Sequence, residues 1–96
     1  MLTSKQRAKL RGMAQNMEPI LHIGKDDITP NIIKQADDAL EARELIKGTV
    51  QQNSGLTAKE ACSMLCEALG ADGVSVLGRK FVLYRESENK KKIEID

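Results

Sequence analysis

The residues most able to do chemistry in this chain are basic, and they sit in a few short stretches. Lys5, Arg7, Lys9 and Arg11 all precede Glu18, the first acid, and Lys25 follows Gly24 in a turn between the apolar run Ile20 to Ile23 and the helix start Thr29-Pro30. Arg79 and Lys80 follow Gly78 in a second turn. A glycine turn leading into a helix start aims unpaired N–H groups and a lysine at one place, which suits a phosphate. Phosphate contact is the electrostatic part of nucleic-acid binding. Only Phe81 and Tyr84 are aromatic. A stacking platform for bases is therefore a poor fit, and structured RNA read by backbone and shape fits better than a splayed single strand.

Catalysis lacks its parts. His22 is the only histidine, no Gly-rich nucleotide signature is present, and no Ser, His and Asp arrangement stands out. Asp37 and Asp38 are neighbours that splay by about 100° on a helix, so a solvated face explains them better than a carboxylate pair. Cys62 and Cys66, the only cysteines, lie one helical turn apart. That spacing suits two free thiols on one face better than a disulfide, and a metal site would need more ligands. No enzyme activity, cofactor or metal is expected.

These residues need a scaffold. At 96 residues with 41% hydrophobic content, the chain suits one folded domain. The net charge of +1 conceals a basic start and an acidic middle. No stretch approaches the roughly 18 apolar residues of a membrane span and no signal-peptide core is seen, so a soluble cytoplasmic protein is expected. Thr3 with Gln6 caps a first helix over about Ser4 to Met17, with Lys5 and Lys9 on one edge of its apolar stripe and Arg7 and Arg11 on the other. Ile20 to Ile23 reads as a strand, and Thr29-Pro30 opens a second helix with apolar residues at 32, 33, 36, 39 and 40 and an acidic outer face of Asp37, Asp38 and Glu41.

Glu44 to Gln51 reads as a second strand. Thr57 with Glu60 caps a third helix lined by Ala61, Met64, Leu65 and Ala68 and ended by Gly70. Gly73 to Leu77 and Lys80 to Arg85 form a hairpin around Gly78-Arg79. In the simple register Val74, Val76, Phe81 and Leu83 share one face, while Leu77, Val82 and Tyr84 share a face that the first helix can cover. The expected fold class is α/β, a single domain of order α-β-α-β-α-β-β with a four-stranded mixed sheet packed with three helices. Residues 1–85 form the domain, and 86–96 a charged tail, expected to be mobile, with Ile93 and Ile95 as its only core-like residues.

The strings LTSKQR from Leu2, ILHIGK from Ile20, LEARELIK from Leu40 and GRKFVLYR from Gly78 resemble the YhbY-type family of the CRM domain, named for chloroplast RNA splicing and ribosome maturation. The resemblance spans about Leu2 to Arg85. It implies an RNA-binding domain with a fold like the C-terminal domain of a bacterial translation initiation factor, associated with precursors of the large ribosomal subunit. It also implies a G-x-x-G loop that approaches RNA, whose first positions fall on Gly24 and Lys25. The fourth position departs, being Asp27. That residue either repels RNA from the loop or helps to cap the second helix. The candidate RNA-binding residues are Lys5, Arg7, Lys9, Arg11, Gly24, Lys25, Arg43, Arg79 and Lys80, with ribosomal RNA in large-subunit precursors as partner and no membrane. The alternative is a protein-interaction module that docks a basic partner through the acidic second helix. RNA site, assembly step and oligomeric state are not encoded legibly.

Overall fold

The computed structural model describes residues 2–89 and 91–94. Helix α1 (Ser4–Ala14) begins at a reciprocal capping box, in which Thr3 Oγ1 accepts the Gln6 N–H and the Gln6 side chain accepts the Thr3 N–H. It ends before Met17, where the sequence pattern extended it. Lys47, reaching from the sheet, donates to the Ala14 and Met17 carbonyls at 3.2 and 3.3 Å and so satisfies the helix end. Strand β1 (Leu21–Ile23) leads into α2 (Pro30–Arg43), where Thr29 Oγ1 accepts the Ile32 N–H and proline occupies the first turn. Strand β2 (Leu45–Val50), helix α3 (Ala58–Leu69) and the hairpin of β3 (Asp72–Leu77) and β4 (Lys80–Tyr84) complete the order.

The sheet runs β1-β2-β4-β3, with β1 parallel to β2 and the other pairs antiparallel. Helix α2 is the crossover between the parallel neighbours β1 and β2, and α3 carries the chain from β2 to β3 on the same face. That face buries Leu21, Ile23, Ile46, Phe81 and Leu83 against Ala36, Leu40, Ala61, Cys62 and Leu65. Gly48 makes room for this packing, because a Cβ there would lie 2.3 Å from the Phe81 ring. Helix α1 covers the opposite face, where Leu10 and Ala14 pack with Leu45, Val82 and Tyr84.

Three local expectations need correction. Val74 lies under α1 with Val82 and Tyr84 rather than beside Phe81, because an irregularity between Gly73 and Ser75 shifts the register and turns the side chain to the other face. On α3 the buried stripe is Ala58, Ala61, Cys62 and Leu65, whereas Met64 is 45% exposed. A helix on a twisted sheet buries the arc the sheet presents, and the neighbouring phase of an apolar helix is indistinguishable by pattern. Glu44 belongs to no strand. It ends α2 with φ +66°, and its side chain is wholly buried.

The segment after β4, expected to be a mobile tail, follows a defined path among the described residues. Ser87, Lys92 and Ile93 donate backbone N–H groups to the Glu44 carboxylate. The Ser87 hydroxyl and the Glu88 and Asn89 amides donate to Glu41. Ile93 is buried in the cluster beneath α1 with Leu2 and Leu10. Ile95 lies outside the described residues.

Candidate nucleic-acid interface

The ends of β1 and β2, the start of β4 and the end of β3 coincide, since Ile23 pairs with Val50, Thr49 with Lys80, and Leu77 with Lys80. Three loops meet at this edge. The turn after β1 closes through Asp27 N–H to the Gly24 carbonyl at 3.0 Å. The loop between β2 and α3 is joined to β1 by Gln51 N–H to the Ile23 carbonyl, and the hairpin turn to β2 by Val50 N–H to the Arg79 carbonyl, each at 2.8 Å. Helices α2 and α3 both start here, so their positive dipole ends face the same side. The arrangement brings Gly24, Lys25, Arg79 and Lys80 to one end of the molecule. All three cations are exposed.

Asp27 does not take the capping role in the turn, a task that falls to Thr29. Its backbone takes φ +56°, the left-handed conformation a glycine would adopt freely and aspartate tolerates better than most residues. Its carboxylate accepts the Ser54 hydroxyl at 2.6 Å and the Gly55 N–H at 3.0 Å, tying the β1–α2 turn to the β2–α3 loop. The charge is therefore turned into the protein's own loop, while Asp26 remains exposed.

Helix α1 divides its bases unequally. Arg7 Nε donates to the Gly73 carbonyl at 3.3 Å and Lys9 Nζ to the Glu94 carbonyl, so both are engaged. Lys5 and Arg11 are exposed. Among the described residues, Lys5, Arg11, Lys25, Arg43, Arg79 and Lys80 have neither an ion pair nor a side-chain hydrogen bond. Arg11 and Lys80 line the same groove between α1 and the hairpin. Arg43 is not brought to these residues. It closes α2 about 20 Å of helix away from the Gly24 turn, at 1.5 Å per residue.

The acids of α2 are already occupied. Asp37 pairs with Arg85 at 2.7 Å, Asp38 with Lys34 at 3.0 Å, and Glu41 holds the segment after β4. The Ser87 hydroxyl, first among its donors, keeps the Glu41 carboxyl below its ordinary pKa. Phe81 and Tyr84 are both buried, so neither offers a face for a base. Cys62 and Cys66 are free thiols at the α3–sheet contact, and the Cys66 thiol is pushed up by its hydrogen bond to Cys62 and then by burial. The groove residues Gly12 and Leu77 and the buried Glu44 were missed by sequence reasoning. A glycine inside the first helix pattern was the one available signal.

Fold and site together define a small α/β domain with a glycine turn and exposed cations gathered at one end of its sheet. The chain belongs to the CRS1/YhbY (CRM) domain family, whose model matches residues 2–85. It is 41% identical over 95 residues to the probable RNA-binding protein YqeI of Bacillus subtilis, covering 99% of each chain. It is 30% identical to an RNA-binding protein of Haemophilus influenzae, covering 94% of this chain and 91% of the relative. A Staphylococcus aureus chain, solved in solution and described as a candidate RNA-binding protein, superposes with a TM-score of 0.83 at 49% identity over the full length of both.

Proposed function

We propose that the protein is a cytoplasmic, non-catalytic RNA-binding factor in large ribosomal subunit assembly that contacts structured RNA through its phosphate backbone. The observation that carries this reading is the set of cations Arg11, Lys25, Arg79 and Lys80, unpartnered among the described residues, which sit on α1, on the two turns and at the start of β4 at one end of the sheet. Uncommitted surface cations bind phosphate without first giving up an internal partner, so counterion release translates into affinity. Lys5 adds charge on the opposite edge of α1, whereas Arg7 and Lys9 must exchange a carbonyl partner to contact RNA. Arg43, at the far end of α2, stands apart from this set. Gly24 lets the chain pass close to Gln51, since a Cβ would stand 3.2 Å from its Oε1. Burial of both aromatics supports contact with backbone and shape rather than stacking. The named relatives supply the RNA-binding part of the reading, and the family resemblance supplies the large-subunit part.

The test is co-sedimentation with ribosomal precursors over a salt series, followed by crosslinking. Association with large-subunit precursors that weakens steeply with salt, and crosslinks at α1 and the two turns, is the expected outcome. Association that ignores salt would refute phosphate contact.

A further inference from the structure

Beside Arg11 on α1 stands Gly12, a glycine inside a helix where a Cβ would meet nothing within 4 Å. No packing constraint in the fold asks for glycine there, and the residue costs about 1 kcal/mol of helix stability relative to alanine. What its missing side chain keeps open is a groove between α1 and the hairpin. The far wall is apolar and unusually exposed. Leu77, which shares a face with its partner Lys80, is 82% accessible beside the cleft, and Val74 and Val82, buried under α1, continue the apolar lining. The rim is basic, formed by Arg11 and Lys80, neither of which has an internal partner among the described residues.

An apolar wall facing a bare stretch of helix backbone, with two cations at the mouth, matches a nucleotide: a base whose flat face packs on an apolar side chain, joined through its sugar to an anionic phosphate. We propose that this groove seats one unpaired nucleotide of the bound RNA, with the base against Leu77, the sugar passing over Gly12, and the phosphate between Arg11 and Lys80. Such a seat gives preference for a loop or bulge, where a base can leave the stack. It adds to phosphate contact a discrimination that phosphate contact alone cannot give. The inference rests on the RNA-binding reading above, and the experiment separates the two.

Affinity is measured for an RNA hairpin with an unpaired loop and for a fully paired RNA duplex with the same number of phosphates. The wild-type protein is expected to prefer the hairpin by about tenfold, the scale of partly burying one large apolar side chain. Gly12→Gln, which fills the groove with a good helix former, and Leu77→Ser, which removes its most exposed wall, are each expected to bind the two RNAs alike. Their salt slopes, which count phosphates, should stay at the wild-type value. Equal wild-type affinity for hairpin and duplex, or variants that keep the preference, would overturn the nucleotide seat while leaving RNA binding intact. A wild-type chain that binds neither RNA would overturn both readings. Leu77 is on the surface and Gly12→Ala should raise the melting temperature, so a folded variant is available for either wall.

Discussion

Asp27 shows how a residue that looks unfavourable in sequence finds a use. Its side chain joins two loops, and its backbone takes the left-handed turn conformation. Asp27→Gly should relieve the backbone cost but lose both bonds to the Ser54–Gly55 loop, for a net loss of about 1 kcal/mol. Thermal melting measures that loss, and RNA affinity at fixed salt is expected to change little because the carboxylate already faces its own loop. A tighter complex with unchanged stability would show that the charge does reach RNA. At the groove mouth, replacing Arg11 and Lys80 together with glutamine should flatten the salt slope by about one, for the single phosphate held between them. The paired replacement of Lys5 and Lys9 should do less, because Lys9 already holds the Glu94 carbonyl.

At the scale of elements, the segment after β4 connects α2 to α1. Glu44 stands at its centre. Burial pushes the Glu44 carboxyl upward in pKa, but three backbone N–H donors pull it down further, leaving it below the ordinary 4.5. A carboxylate whose folded pKa is lowered stabilises the protein fully above its ordinary value and loses that contribution as pH falls through the folded value. Glu44→Gln should therefore destabilise by about 2 kcal/mol at neutral pH. Its deficit relative to wild type should shrink as pH drops below 4.5 in parallel melting curves. Hydrogen exchange at Ser87 and Ile93 should accelerate in the variant, and α1 amides should follow, since Ile93 shares a buried cluster with Leu10.

For the whole molecule, one sheet separates two jobs. Its buried face fixes the strand register, and its end collects the loops. Gly48→Ala places a methyl group into the Phe81 ring and should cost about 3 kcal/mol, through displacement of the central strand pair. Chemical denaturation reads that cost directly. RNA binding per folded molecule should survive, because the cations lie at the periphery. Arg43→Gln should leave the salt slope near its wild-type value at 0.15 M salt, since about 20 Å of helix exceeds the screening length of about 8 Å.

The order of elements, the helix starts and the basic character of α1 and the two turns were all legible locally. Each rests on signals confined to a few residues: Thr3 with Gln6, Thr29 with Pro30, Thr57 with Glu60, and Gly70 in a left-handed cap at φ +64°. Tertiary structure decided what depends on distant partners. Lys47 shortens α1 from across the fold, and the β3 irregularity turns Val74 to the other face. Glu44 becomes buried because amides 43 to 49 residues later come to its carboxylate. Likewise, Arg7 and Arg11 look equivalent along the helix, yet one meets the Gly73 carbonyl and the other an open groove. A side chain's type and its place on a helix follow from local sequence, but whether its charge is already satisfied depends on what the chain brings back to it through space.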